Sequence, residues 1–288
     1  HWLRAGASGW RLDVVDELPD EFIEALRTTV EETDPDALVL GEVWEDASNK
    51  ISYSRRRKYF HGRELHGVMN YPFRTALLNF LLDGPAEDFQ EAMETIRENY
   101  PPAAFYSAMN FLGTHDTPRI LTMLGGCRLP EGREAQSMFA LTPVQREAGL
   151  ERLYVAAAIL FTFPGSPMIY YGDEAGMEGA ADPFNRRTYP WGHEDTQLLG
   201  WFRTLGQLRK NRVSLRRGSF RWLAARGPLL AYLREEGREA TATLVNASAE
   251  PLTVTLPEGS YLDLLTGETV HGGAASIPPY RVRLLGRG

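Results

Sequence analysis
From Gly9 to about Val213, short apolar runs alternate with stretches of helical periodicity, and the alternation predicts the elements. WRLDVV reads as a strand, and DEFIEALRTTVEET, with Phe22, Ile23, Leu26 and Val30 at helical spacing, as the helix after it. ALVLGEVW is a second strand and HGVMNYPF a third, the latter followed by the helical RTALLNFLLD and AEDFQEAMETIRENY. AMNFLG and PMIYY are the fourth and fifth, separated by the helix REAGLERLYVAAAILFTF, and TQLLGWFRTLGQLRKNRV closes the series. Apolar strands separated by helices imply a parallel sheet with right-handed crossovers. Every strand runs into polar residues: Asp13, Glu42, Asn70, His115-Asp116 and Asp173-Glu174. Parallel α/β folds build their sites at these carboxyl ends. Past about Leu215 the pattern becomes short alternating runs divided by Gly, Pro, Asn and Asp, from SFRWLAA to YRVRLLG. The expected organisation is therefore an α/β domain over residues 1–214 and an antiparallel β domain, read as a sandwich, over 215–288.

Composition narrows the function classes. The 288 residues hold 31 Lys and Arg against 38 Asp and Glu, a formal charge of −7. That balance argues against a nucleic-acid or membrane-surface partner, since the single basic block is Arg55-Arg56-Arg57-Lys58, which reads as a solvated loop. Cys127 is alone, which excludes an intrachain disulfide or a Cys-based zinc site and is compatible with a cytoplasmic location. The longest apolar stretch, Leu153–Phe163 interrupted by Thr162, is too short to cross a bilayer and reads as a buried helix. The chain opens at His1 on a helix end running into a strand, which leads us to expect a piece of a longer polypeptide.

Asp13, Glu42 and Asp116 are the candidate chemistry. A retaining glycosidase needs a carboxylate nucleophile and a carboxylic acid about 5–5.5 Å apart. Neighbouring strands are spaced about 4.8 Å apart, so carboxylates at adjacent strand ends can meet that requirement. Arg11 lies two residues before Asp13, on the same face of the strand, where a cation favours an ionised nucleophile. Glu42 in the acid role would need a raised pKa, which neighbouring carboxylates would supply in part. Each acid also has a plain structural reading: strand-end carboxylates commonly cap helices, and Asp173-Glu174 and Asp16-Glu17 fit that description. His115 fits a core histidine as well as a substrate contact, one of Tyr170 and Tyr171 is expected to pack, and Trp201, Phe202 and Leu205 read as core. Met69 reads as a filler.

Four ordered strings, GWRLDVVDE, GEVWEDA, FLGTHDTPR and SPMIYYGDEAGMEG, resemble the signatures of the α-amylase superfamily of glycoside hydrolases. VMNYPFR, Glu17 and DPFNRRTYPW look most like its neopullulanase, cyclomaltodextrinase and maltogenic amylase branch. The resemblance implies a nucleophile at Asp13, a general acid/base at Glu42 and a third, transition-state-stabilising carboxylate at Asp116. It implies that Arg11 partners the nucleophile and that His115 contacts the −1 sugar, with Glu17, Trp44 and Arg186 lining neighbouring subsites. For Trp44 a buried packing role is an equal alternative.

The same resemblance implies the fold, a (β/α)₈ TIM barrel of which this chain holds strands four to eight, followed by the family's C-terminal β domain. Five strands do not close a barrel, so self-association or pairing with a missing N-terminal half is expected, and the piece alone is expected to be inactive. His66-Gly67 stands where many members of the branch carry Asp-Ser or Asp-Ala, and Ser8 where an Asp is frequent. The implied partner is an α-glucan oligosaccharide: a maltooligosaccharide, a cyclodextrin or pullulan. No organic cofactor is implied; calcium is compatible with the family, with no ligands assignable here. The alternatives are an α-glucan transglycosylase or isomerase on the same three carboxylates, and a catalytically silent carbohydrate-binding module.

Overall fold
The computed structural model describes residues 1–288. Its elements in chain order are β1 (Gly9–Leu12), α1 (Asp20–Thr33), β2 (Leu38–Gly41), β3 (Ile51–Ser52), β4 (Arg55–Arg56), β5 (Gly67–Val68), α2 (Tyr71–Leu81), α3 (Ala86–Asn99), α4 (Pro102–Ser107), β6 (Met109–Phe111), α5 (Ile120–Leu124), α6 (Arg133–Ser137), α7 (Pro143–Thr162), β7 (Ser166–Met168), α8 (Thr196–Asn211) and α9 (Val213–Arg217). Six longer strands follow: β8 (Ser219–Arg226), β9 (Leu229–Glu236), β10 (Glu239–Asn246), β11 (Leu252–Asp263), β12 (Thr269–Ile277) and β13 (Arg281–Arg287). The chain divides into two compact bodies, one of residues 1–75, 91–111 and 164–167, the other of 76–90, 112–163 and 168–288.

In the first body β1 and β2 pair in parallel with Leu12 opposite Gly41, and β2 pairs in parallel with β5. A parallel bridge joins Met69 to Met109, at the start of β6, and β6 pairs with β7. The β1–β2 ladder is tight at its start: a Cβ on Gly9 would stand 2.3 Å from the Leu38 carbonyl oxygen, so only glycine fits. The strands are shorter than their apolar runs, and PMIYY in particular is strand only to Met168. Helix α1 matches its predicted span, with Ile23 and Val30 buried on one face and Asp20 and Glu21 complementing its N-terminal dipole. His66 is tied to β2 through both its main chain and its side chain. Its backbone N–H donates to Val39 O at 2.9 Å, and its Nδ1 accepts the Val39 N–H at 2.9 Å. Burial pushes this imidazole below its ordinary pKa, in keeping with a neutral ring that accepts at Nδ1.

In the second body α7 begins at a capping box, where the Thr142 hydroxyl accepts the Gln145 N–H, the Gln145 side chain accepts the Thr142 N–H, and Pro143 opens the first turn. Its C-terminal half, Leu153 and Val155–Thr162, is buried as the apolar run predicts. Asp195 caps α8 through Leu198 N at 3.0 Å, and Phe202 and Leu205 are core as expected. An aromatic cluster of Phe89, Phe163, Phe220, Trp222 and Tyr232 joins the end of α7 to β8 and β9. The C-terminal β region departs from the sandwich expectation. It is one six-stranded antiparallel sheet, in the order β12-β11-β13-β10-β9-β8. The sheet curls on itself, so that Leu229, Leu233, Leu244, Val254, Tyr261, Ile277 and Leu285 share one core.

Candidate active site
In the first body the register fixes the pairing of two acids. Leu12 faces Gly41, so Asp13 and Glu42 leave adjacent strand ends side by side. Arg11 bridges them: its Nη1 stands 2.6 Å from Asp13 Oδ1 and its Nη2 3.1 Å from Glu42 Oε2, while Nε faces Met69 Sδ at 3.5 Å. Met69 is thus a sulfur contact of the bridging guanidinium, more than a filler. Glu42 is buried and accepts three hydrogen bonds, from Val14 N (3.0 Å), Trp44 Nε1 (3.3 Å) and the Tyr71 hydroxyl (3.2 Å). Asp13 is 71% exposed against 4% for Glu42, so one acid is open to a ligand while the other sits among donors.

Trp44 is half exposed and stacks on Tyr71 at 4.5 Å with planes 12° apart, so it is not the buried packing residue of the alternative reading. Glu17 lies in a 3₁₀ turn over Val15–Glu17, and its carboxylate accepts the Tyr53 hydroxyl. Asp16 and Glu17 therefore precede α1 without capping it; the residue at its N-cap is Pro19. Asn70 closes a buried pair with Asn110 at 2.9 Å and accepts the Phe73 N–H at 3.1 Å.

His115, Asp116 and Arg186 belong to the second body. His115 Nε2 lies 3.2 Å from Asp116 Oδ2 and Arg186 Nη2 3.6 Å from Asp116 Oδ1. His115 is partly exposed, which removes the core-histidine reading. Two residues that the periodicity does not single out build this loop. Asn185 is fully buried, and its Nδ2 donates to the carbonyls of His115 and Thr117, both at 2.7 Å, on either side of Asp116. Arg119, also fully buried, lies under the rings of Tyr170 (4.2 Å) and Tyr171 (4.6 Å), pairs with Asp173 at 3.2 Å and donates to Asn185 O at 2.7 Å. Asp173 is thus half of a buried ion pair, not a helix cap. Burial pushes the Tyr170 phenol up to about 12. The strings THDTPR and DPFNRR contain Arg119 and Asn185, but nothing in their periodicity marks them as buried.

No group of three or more His, Cys, Asp or Glu stands close enough to hold a metal ion, and no helix is long and apolar enough to cross a membrane. A groove of about 1060 Å³ lies in the second body against Tyr154, Trp201 and Tyr280, and none of the acids above lines it.

The sequence profile of the alpha amylase catalytic domain matches residues 1–214. The chain belongs to the alpha-amylase family. Within that family, cyclomaltodextrinase of Geobacillus thermopakistaniensis (strain MAS1) is 34% identical over 97% of this chain and 45% of its own length. Neopullulanase 2 of Thermoactinomyces vulgaris is 34% identical over 100% of this chain and 46% of its own. The ligand-free structure of the cyclic alpha-maltosyl-(1→6)-maltose hydrolase from Arthrobacter globiformis superposes with a TM-score of 0.80. It is 27% identical and covers 100% of this chain and 60% of that one. This alpha-amylase-family chain thus spans less than half the length of these two curated relatives.

Proposed function
We propose that the chain carries the catalytic carboxylates of a retaining glycoside hydrolase acting on α-glucans: maltooligosaccharides, cyclodextrins or pullulan. The observation that carries this reading is the Arg11 guanidinium in contact with both Asp13 and Glu42 at the ends of adjacent parallel strands. Asp13 attacks the anomeric carbon while Glu42 gives its proton to the glycosidic oxygen, so a glucosyl–Asp13 ester forms and the leaving sugar departs neutral. Glu42, now a carboxylate, takes a proton from water, whose oxygen displaces Asp13 and restores both acids. The Arg11 ion pair orients the nucleophile, and the donors from Val14, Trp44 and Tyr71 orient the acid. Asp116 takes the third-carboxylate role, with His115, Arg186, Glu17 and Trp44 as sugar contacts, on the strength of the family strings. No step passes through a metal or an organic cofactor.

The reading takes β1, β2, β5, β6 and β7 as strands four to eight of a (β/α)₈ barrel. The greater length of the relatives supports a source for the other strands outside these residues, with self-association as the second route. The test is hydrolysis of maltotriose and β-cyclodextrin by the chain, alongside Glu42→Gln. Turnover that this substitution abolishes supports the assignment. Turnover that survives it removes Glu42 from the acid role.

A further inference from the structure
The residue after Asp13 is strained. Val14 has φ 38° and ψ 53°, the left-handed region that a β-branched side chain rarely enters, and its N–H donates to Glu42 Oε2. Something must hold the turn there, since nothing in the residue itself favours that conformation. The holding group comes from the basic run. Arg55, Arg56 and Lys58 are exposed as the solvated-loop reading expects, but Arg57 is buried. Its Nη2 donates to the carbonyls of Val15 (3.0 Å) and Leu18, Nη1 pairs with Asp20 Oδ1 at 2.9 Å, and Nε donates to the Tyr59 hydroxyl at 3.1 Å. That hydroxyl in turn donates to Asp16 Oδ1 at 2.5 Å. Ser52 Oγ donates to Asp16 O at 2.8 Å, and Lys50 Nζ pairs with Asp16 Oδ2 at 3.0 Å. The segment from Lys50 to Tyr59 thus grips Val15, Asp16 and Leu18 and Asp20 beyond them, with one guanidinium at its centre.

We propose that Arg57 is a positioning residue that holds the strained turn after Asp13 and thereby aims the Asp13 carboxylate. This rests on the reading of Asp13 as nucleophile. A planar fork that serves two carbonyls, a carboxylate and a hydroxyl at once has no equivalent in the ammonium of lysine. Without it Val14 relaxes toward the extended region, which rotates the Cα–Cβ bond of the preceding residue. A displacement of about 1 Å at a reacting atom costs on the order of 10²-fold in rate.

The test uses the whole chain and α-maltosyl fluoride, whose leaving group needs no proton from Glu42. Arg57→Ala is expected to lower kcat on the fluoride roughly 10²-fold with KM within about twofold, and Arg57→Lys about 10-fold. Adding Val14→Gly to Arg57→Ala should recover part of the loss, because glycine adopts the turn unaided; a merely structural role for Arg57 gives no such rescue. Amide hydrogen exchange supplies a readout independent of turnover: Arg57→Ala should deprotect Val14–Leu18 while α7 stays protected. An unchanged kcat with Val14–Leu18 still protected overturns the proposal, as does deprotection shared equally by α7 without rescue by Val14→Gly. If the unsubstituted chain shows no turnover, as expected of five strands that do not close a barrel, the reading of Asp13 is unaffected and the exchange result alone decides the clamp. Val14–Leu18 as protected in Arg57→Ala as in the unsubstituted chain then overturns the proposal.

Discussion

Replacing Asn185 by alanine removes one side-chain amide from the interior of the loop that carries Asp116. The amide makes two short hydrogen bonds, both at 2.7 Å, to the carbonyls of His115 and Thr117. The two carbonyls do not suffer equally. His115 O keeps the Arg186 Nε donor at 3.1 Å, so its loss is one ordinary hydrogen bond, about 1 kcal/mol. Thr117 is only 6% exposed, and its orphaned carbonyl carries a desolvation cost of about 1–3 kcal/mol. Against this, Asn185 Oδ1 is already buried without a partner, and deleting it returns about 1 kcal/mol. The expected net destabilisation is therefore about 1–3 kcal/mol, or roughly 2–12 °C in the melting temperature of a body this size. Asn185→Asp has the same shape but presents oxygen to both carbonyls, so it should cost more than alanine does. Thermal melts and urea titrations of the three proteins, followed by circular dichroism, measure both differences. A shift below about 1 °C for alanine, or an aspartate no worse than alanine, would refute the argument that the donors of this amide organise the loop.

Three other outcomes follow from the same geometry. Glu64 is 1% exposed, and burial followed by repulsion from Asp20 and Glu24 outweighs the attraction of Arg57 and Lys58, raising its pKa from 4.5 to about 7. The folded state therefore binds the extra proton between those values, so this stabilising contribution is full below about pH 4.5 and lost as pH rises through 7. Glu64→Gln should flatten that decline, gaining up to about 3 kcal/mol at pH 8 relative to pH 5 in urea titrations; an unchanged pH slope would sink the assignment. Gly165 has φ +114°, and a Cβ there would lie 2.7 Å from Ala108 O, so Gly165→Ala should lose about 2 kcal/mol or more by the same titration. Phe163, fully buried among Phe89, Phe220, Trp222 and Tyr232, should cost about 3–5 kcal/mol when truncated to alanine, and a loss below about 1 kcal/mol would show that the cluster collapses around the gap.

What the sequence alone determined was local. Helical spacing in DEFIEALRTTVEET depends on neighbours within one or two turns, so α1 stands where the pattern puts it, whereas α7 begins at Pro143, ahead of the predicted REAGLERLYVAAAILFTF, because the Thr142–Gln145 capping box extends it. The short apolar runs likewise placed Asp13 and Glu42 just beyond two strands, and a parallel register with Leu12 opposite Gly41 then set them side by side. Residues whose role depends on distant partners were not legible. Arg57 looks like its exposed neighbours in the string RRRK, and only the Val15 and Leu18 carbonyls, about forty positions earlier in the chain, make it a buried clamp. Arg119 and Asn185 are two polar residues of the kind that mark a surface, until a pair of tyrosines and a set of backbone carbonyls enclose them. The C-terminal strands make the same point on a larger scale. Alternating apolar positions report that one face is covered, but they do not say by what. A second sheet and the same sheet curled on itself bury the same residues, and only long-range pairing such as Leu262 opposite Gly286 chooses between them. Burial of a polar group is a property of its partners, and the partners are brought together by the tertiary fold.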